Sequence, residues 1–277
     1  MADLSVNGVR LHVQRLGAGD RLAVFVHGLV MDNLSSFYFT LATPAAAHRA
    51  VRLYDLRGHG LSERPAAGYA VADFVADLAA LVDAESPSAP VDVIGNSFGG
   101  LIALAFAHAH PARVASLVLI DAHDGTAGWA AQMAATLGLQ GQARDEKIAA
   151  SFQAWLGRHS ERKRTRLADH ARALVEGTTL VADLEASPPL DLAQLATIAA
   201  PALLLYGQRG AAGGARLVGD RRCVVGVDVL GHRQELGVGR QQRAHATLEI
   251  VAGCTHSILW EATALVRDRV VAWLEAR

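Results

Sequence analysis

The sequence predicts an α/β fold with a mostly parallel central sheet, helices on both faces, an N-terminal antiparallel hairpin and an inserted helical cap. Three observations support this prediction. Short runs of aliphatic and β-branched residues recur along the chain, as is typical of strands buried on both faces. Helical patterns separate these runs, which indicates a parallel sheet. A longer Ala-, Arg- and Glu-rich helical stretch interrupts the alternation.

The elements follow in a regular order. Residues 4–13 alternate around Asn7-Gly8, which suits a two-residue hairpin turn because both residues tolerate positive φ. Strands are predicted at residues 22–26, 50–54, 91–94, 114–120, 202–206 and 247–251, and helices at residues 71–82, 98–110 and 263–275. This alternation of strands and helices predicts a parallel sheet with helices on both sides.

Two segments depart from this order. Residues 123–195 have helical character and no convincing strand, so we expect a helical cap there. The corresponding core domain comprises residues 1–122 and 196–277. Residues 208–245 contain many Gly and Arg residues without a clear period, and the sequence assigns them no structure.

The composition is that of an ordinary globular protein. Of 277 residues, 51% are hydrophobic, and the formal net charge is -1, so we expect no nucleic-acid partner. The N-terminus lacks signal-peptide features, and no apolar run reaches membrane-spanning length; we expect a cytoplasmic protein without a membrane partner. Cys223 and Cys254 lack metal-ligand spacing, and we expect neither a metal nor a cofactor.

The segment GNSFGG at residues 95–100 lies between a predicted strand and an apolar helix. This context favours a nucleophile elbow, a tight turn that exposes Ser97 and requires small residues at Gly95 and Gly99. The turn also aims the start of the helix at the site, so the Phe98 N–H is a candidate oxyanion donor. A Gly-rich turn without chemistry is the alternative.

At these residues the chain resembles the α/β-hydrolase family, and the resemblance covers nearly the whole chain. His27-Gly28 resembles the family's oxyanion loop, which implies that the Leu29 N–H is the second oxyanion donor. The segment DLRGHGLS at residues 55–62 resembles the family's turn after its next strand. The resemblance implies that His27 and His59 are scaffold residues and that Ser97 is the nucleophile of a serine hydrolase.

His256 is the candidate general base. Of the twelve histidines, it lies just after the last predicted strand and before the terminal helix, which is the histidine position of the family that the chain resembles. An imidazole within hydrogen-bond reach can remove the proton of a serine hydroxyl and later protonate the leaving group.

The acid that would complete a catalytic triad with Ser97 and His256 is less well defined. The family's acid usually follows the strand before the last, but the matching stretch here is Gly207-Gln208-Arg209-Gly210, without a carboxylate. Our candidate is Asp121, at the end of the predicted strand 114–120, because the carboxyl ends of parallel strands converge on one crevice. Some lipases of this fold carry their acid after the same strand. The alternatives are Asp124, Asp220, Asp228 and Glu235, or a site of Ser and His alone.

We expect hydrolysis of an ester, thioester or similar acyl bond through an acyl-enzyme on Ser97. Asn96 resembles the elbow of carbon–carbon bond hydrolases that cleave ring-fission diketones, but the loop at residues 29–32 lacks the Gly-rich stretch expected there. That activity remains an alternative. A second alternative is a binding or isomerising protein that kept the fold. A serine nucleophile argues against the epoxide hydrolase and dehalogenase branches, which use aspartate.

Substrate recognition is expected to involve the cap. Its large apolar residues are candidates to wall an acyl pocket or merely to join the cap to the core: Trp129, Met133, Phe152 and Trp155. A basic run within residues 158–166 fits either a solvated helix face or a dock for an anionic carrier. The expected partner is a small-molecule acyl substrate, free or carried on coenzyme A or an acyl carrier protein, and the expected assembly is a monomer or homodimer.

Overall fold

The computed structural model describes residues 2–123, 129–137, 161–209, 215–218, 224–227, 239–242 and 245–277, together with residues 139, 141 and 146. Its strands, numbered in chain order, are Ala2–Val6 (β1), Val9–Leu16 (β2), Leu22–Val26 (β3), Ala50–Tyr54 (β4), Val91–Asn96 (β5), Val114–Ile120 (β6), Ala202–Gly207 (β7), Ala215–Val218 (β8), Val224–Val227 (β9), Gly239–Gln242 (β10) and Ala246–Val251 (β11). Within these residues, nine strands form one sheet in the order β1-β2-β4-β3-β5-β6-β7-β11-β10.

The middle of the sheet is parallel and its ends are antiparallel. The strands β4, β3, β5, β6, β7 and β11 pair in parallel, whereas β1–β2, β2–β4 and β10–β11 are antiparallel pairs. In the first hairpin, Asn7 and Gly8 have φ of 47° and 73°, the positive values that a type I′ turn requires. The predicted fold class is thereby confirmed.

Alternate residues of the central strands feed two apolar layers. On one side, Val24 and Val26 of β3 pack in the core cluster that includes Phe74 and Leu101. On the other side, Ala23 and Phe25 belong to the cluster that includes the terminal helix. Since successive side chains of a strand point to opposite faces, an apolar run with no polar alternation is what a sheet covered on both faces needs.

The helices cover these two faces. The longer ones span Val71–Glu85, Phe98–Ala109, Trp129–Leu137, Glu161–Gly177, Leu180–Ala186 and Thr263–Glu275, and shorter helical segments lie at Ser35–Phe37, Tyr38–Ala42, Thr43–Ala45, Pro111–Arg113, Leu192–Ala196 and Ile258–Glu261. No helix in the described part of the chain is long and apolar enough to cross a membrane.

The two interrupting segments differ in what they contain. The described part of residues 123–195 is helical and has no strand, in line with the sequence pattern, while its division from the core as a separate domain remains a prediction. Residues 208–245, to which the sequence assigned no structure, contain the short strands β8, β9 and β10. β8 and β9 pair with each other, and β10 extends the main sheet next to β11.

Candidate active site

Ser97 lies on a strained turn between β5 and the helix Phe98–Ala109. Its φ is 53° and its ψ is -117°, a backbone conformation that L-residues rarely adopt. The Ser97 N–H donates to the Ile120 carbonyl at 2.9 Å, which ties the turn to the end of β6. The turn leaves the side chain half-buried at the carboxyl edge of the sheet, so the hydroxyl can be reached from the cleft above.

Two glycines make this turn possible. A Cβ on Gly95 would lie 2.4 Å from the Gly99 carbonyl oxygen, and a Cβ on Gly99 would lie 2.0 Å from the Val26 carbonyl oxygen. Both distances are far shorter than real carbon–oxygen contacts. The elbow can therefore close on itself only without a side chain at Gly95, and it can pack against β3 only without one at Gly99. The sequence-based reason for small residues here therefore has a direct structural cause.

His256 follows β11 and precedes the helix Ile258–Glu261, and its ring lies between two of the predicted site residues. Nε2 is 2.9 Å from Ser97 Oγ, and Nδ1 contacts Asp121 Oδ2. Because a carboxylate only accepts hydrogen bonds, the ring carries its proton on Nδ1 and donates it to Asp121, which leaves Nε2 to accept from the Ser97 hydroxyl. The structure thus brings Ser97, His256 and Asp121 together in one chain of contacts.

Asp121 begins the turn after β6 and is fully buried. Its φ of 42° lies in the left-handed region, which aspartate tolerates better than most residues. Its N–H donates to the Leu205 carbonyl at 2.7 Å, and its Oδ1 accepts the Gly207 N–H at 3.0 Å. With Oδ2 on His256, each carboxylate oxygen has a donor, as a buried charge requires.

The electrostatic setting of His256 favours the charged imidazole. Burial alone would lower the pKa of His256, but the charge of Asp121 and its hydrogen bond outweigh burial and hold the pKa above its ordinary value. His123 lies beside it, with ring centroids 5.2 Å apart. Burial, with a smaller effect from His256, lowers the pKa of His123 to about 3, so His123 is neutral at physiological pH.

The loop after β3 lies beside the elbow and is held by two histidines. Val30 has φ of 65°, unusual for a β-branched residue, and its N–H donates to His59 Nε2 at 2.8 Å. His27 Nδ1 lies 2.7 Å from the Gly28 carbonyl oxygen, and its Nε2 accepts the Leu56 N–H at 3.0 Å. Both rings are fully occupied with backbone groups, as expected of scaffold residues.

The two predicted oxyanion donors, Leu29 and Phe98, lie on the loop after β3 and at the start of the helix after Ser97, and their role remains a prediction. No described residue accepts a hydrogen bond from the Leu29 N–H. Phe98 is the first residue of its helix, whose N-terminal end carries a partial positive charge. The Gly28 N–H is not a third donor, because it donates to Asp32 Oδ2 at 2.8 Å.

A cleft opens over Ser97. Its described lining combines the oxyanion loop, the elbow and the segment after His256, and it consists of Gly28, Leu29, Met31, Asp32, Asn96, Ser97, His256, Ser257, Leu259 and Trp260. Met31 also packs against Leu167 and Ala171 of the helix Glu161–Gly177, with Val30 and Trp260 at the edge of this cluster. The helix Glu161–Gly177 thus contacts the loop after β3 directly.

The predicted pocket residues are placed less completely. Met133 is half-buried and packs against the main core. Trp129 begins its helix, and Phe152 and Trp155 lie outside the described residues, as do the alternative acids Asp124, Asp220, Asp228 and Glu235. A pocket role for these four cap residues remains a prediction.

Sequence reasoning missed several residues of the cleft. Leu259 and Trp260 lie on the short helix that begins just after His256, so their nearness to the base along the chain was the available signal. Asp32 was also missed as a residue of the cleft. Its contact with Gly28 depends on how the loop folds back over four residues, which no periodic pattern indicates.

Comparisons with known proteins give a consistent family. The model of the family described as alpha/beta hydrolase fold matches residues 24–263. A 2-hydroxy-6-oxo-2,4-heptadienoate hydrolase of Pseudomonas putida is 38% identical over 117 residues, which are 42% of each chain. Lipase LipV of Mycobacterium tuberculosis is 38% identical over 114 residues, 41% of this chain and 42% of that one. The alignments therefore cover about two-fifths of the length of these curated relatives.

A solved structure extends the comparison to the full length. The thermophilic esterase of Thermogutta terrifontis, bound to malate, matches with a TM-score of 0.72 and 17% identity, over 99% of this chain and 98% of that one. At this identity, the likeness concerns the fold.

Proposed function

Because the chain belongs to the α/β-hydrolase fold family, we propose that it is a serine hydrolase acting on an ester, thioester or similar acyl bond. The observation that carries the proposal is the position of His256, with Nε2 2.9 Å from the Ser97 hydroxyl and Nδ1 against the Asp121 carboxylate. In this proposal Ser97 is the nucleophile, His256 the general base and Asp121 the acid that fixes the imidazole tautomer.

The first half-reaction forms an acyl-enzyme. Ser97 Oγ attacks the substrate carbonyl carbon while His256 Nε2 takes the hydroxyl proton. The carbonyl oxygen becomes an oxyanion, which the N–H groups of Leu29 and Phe98 stabilise. When the tetrahedral intermediate collapses, the bond to the leaving group breaks and His256 gives that group its proton.

The second half-reaction releases the acid product. A water molecule takes the place of the leaving group, and His256 Nε2 removes its proton as it attacks the acyl carbon. The same oxyanion donors stabilise the second tetrahedral intermediate, and its collapse returns the proton to Ser97 Oγ. Asp121 keeps its contact with Nδ1 and stabilises the imidazolium formed in each half.

The cleft favours an acyl ester or thioester over a ring-fission diketone. The name of the Pseudomonas putida relative denotes a carboxylate substrate, and an arginine or lysine makes the strongest hydrogen bonds to a carboxylate. No lysine or arginine is among the described residues that line this cleft. Carbon–carbon bond hydrolysis remains the second candidate, since Asn96 lines the cleft next to Ser97 and that relative is 38% identical over the matched residues.

An active-site-directed probe tests the proposal. A fluorophosphonate should label the wild-type protein at Ser97, because the hydroxyl lies beside a base and next to two oxyanion donors. Peptide mass spectrometry would locate the adduct, and Ser97→Ala should abolish it. Ser257→Ala is a matched control: Ser257 lines the same cleft, but Ser97, not Ser257, lies against the His256 ring nitrogen.

The outcomes separate the candidate functions. The serine-hydrolase proposal would be rejected if Ser97→Ala is still labelled, or if the folded wild-type protein is not labelled. Either result would favour a non-hydrolytic role. If Ser97 is labelled, turnover of acyl esters, thioesters, their coenzyme A forms and vinylogous diketones then identifies the bond. Turnover of the diketones alone would favour the second candidate.

A further inference from the structure

Asp32 places a carboxylate in the wall of the cleft, close to the nucleophile. A Cβ added to Gly28 would lie 3.0 Å from Asp32 Oδ2 and 3.5 Å from Ser97 Cβ. The carboxylate and the serine therefore border the same small space, and Asp32 lines the cleft together with Ser97 and His256.

The loop fixes this carboxylate in place. Oδ2 accepts the Gly28 N–H at 2.8 Å, and Oδ1 accepts the Asn33 N–H at 2.9 Å and the Ser36 hydroxyl. These three donors are neutral dipoles, so they orient the side chain and leave its net charge in place. The described ion pairs of the protein do not include Asp32.

The described lining offers no cation that is free to offset this charge, because His256 is paired with the carboxylate of Asp121. Leu29, Met31, Leu259 and Trp260 offer apolar surface, and no lysine or arginine belongs to the described lining. A negatively charged acyl group would leave water for a site that holds the charge of Asp32 and, in its described part, no lysine or arginine. An uncharged acyl group would bury apolar surface without that electrostatic cost.

From this arrangement we propose that Asp32 determines substrate specificity by charge, and that the natural substrate carries an uncharged, apolar acyl group. This inference rests on the proposed hydrolase function and names its substrate class. Asp32 discriminates between charged and uncharged acyl groups through its electrostatic field in the space in front of Ser97. It takes no part in bond breaking.

The test compares matched esters in wild type and Asp32→Asn. p-Nitrophenyl hexanoate and mono-p-nitrophenyl adipate have acyl chains of six carbons and differ in a terminal carboxylate. The ratio of kcat/KM for the adipate to that for the hexanoate should rise on the order of tenfold in Asp32→Asn, as expected for two charges several ångströms apart near a protein surface. An ester with a terminal trimethylammonium group should show the opposite change.

Two controls separate charge from loop structure. Asn at position 32 keeps an acceptor for the Gly28 N–H, and Asp73→Asn removes a carboxylate that accepts the Ala70 N–H outside this cleft. Asp73→Asn should leave the ratio unchanged. Raising ionic strength should increase the adipate-to-hexanoate ratio of the wild type, because salt screens repulsion, and this arm needs no variant.

The results distinguish a failure of the Asp32 inference from a failure of the proposed hydrolase function. If the wild type hydrolyses the esters but Asp32→Asn changes all kcat/KM values in parallel and salt has no effect on the ratio, Asp32 is only structural and the inference is wrong. If a folded wild type hydrolyses none of the esters, the proposed function is wrong and the inference falls with it.

Discussion

The turns after β6 and β7 lie side by side, since Ile120 pairs with Leu205, yet they contribute different things to the site. The β6 turn supplies the carboxylate of Asp121. The β7 turn supplies a backbone donor, Gly207, and two side chains that bind the loop before His256: Gln208 accepts the Gly253 N–H at 3.1 Å, and Arg209 donates to the Gly253 carbonyl.

This difference shows that the acid of the site can follow either of two neighbouring strands, provided that its turn lies at the carboxyl edge of the sheet. Parallel strands bring their carboxyl ends to a common edge, so a neighbouring turn can present the same group to the same ring. The β7 turn, at the position where the family usually has its acid, here anchors the histidine loop instead. The two turns together fix the place of His256.

Removing the charge from the β6 turn should have the largest effect. Asp121→Asn should lower kcat about 10⁴-fold, because the amide no longer fixes the tautomer or stabilises the imidazolium. Stopped assays with a reactive p-nitrophenyl ester measure this, and Asp191→Asn, which alters an exposed helix cap, should stay near wild type. Near wild-type kcat in Asp121→Asn, with unchanged Tm, would show that the acid lies elsewhere.

A side chain on the β7 turn should have an intermediate effect. A Cβ at Gly207 would lie 2.1 Å from the Thr255 carbonyl oxygen, so Gly207→Ala must displace the loop that carries His256. We expect kcat to fall about 10- to 100-fold, as is usual when a catalytic group moves by about an ångström. Gly177→Ala, where a Cβ would meet nothing within 4 Å, is the control. Unchanged kinetics for Gly207→Ala would mean that the β7 turn does not position the base.

The pH dependence should show the smallest, but most specific, change. The base acts when neutral, so kcat/KM should decline as pH falls through the pKa of His256, which Asp121 holds above its ordinary value of 6.5 against the effect of burial. Without the carboxylate, burial dominates, and the acidic limb of the residual activity of Asp121→Asn should move to lower pH.

A neighbouring ring provides the control for this profile. His123, with a pKa of about 3, is already neutral over the assay range, so His123→Phe should leave the limb where it is. A limb that disappears in His123→Phe would belong to His123. If the acidic limb stays in place in Asp121→Asn, the Asp121 carboxylate does not raise the pKa of His256.

The sequence predicted the sheet well because burial on both faces leaves a direct mark. The residues of β3 and β6 are apolar at every position except Ser116, and the predicted bounds of these strands match the structure. The short strands β8 to β10 left no such mark, because each is only four residues long and β10 consists of Gly and polar residues alone. Their pairing depends on the partner strand rather than on their own pattern.

Parts of the site were predictable for a different reason. Ser97 lies in a Gly-rich turn between a strand and a helix, and His256 lies between the last strand and the terminal helix. These positions along the chain were enough to predict a nucleophile and a base. Asp121 was one of five candidate carboxylates, and only the turn geometry places it against the ring. Asp32 escaped notice as a cleft residue, because its place there depends on a loop that folds back on itself.

The backbone around the site limits how freely this protein can change. Of the four non-glycine residues with positive φ in the described part of the chain, Val30, Ser97 and Asp121 border the site, and only Asn7 lies in the distant hairpin. Such conformations cost about 1–3 kcal/mol each, a large share of the net stability of a typical domain. A random mutant library would therefore start with a narrow stability margin, and substitutions that add function would need stabilising changes elsewhere to be tolerated.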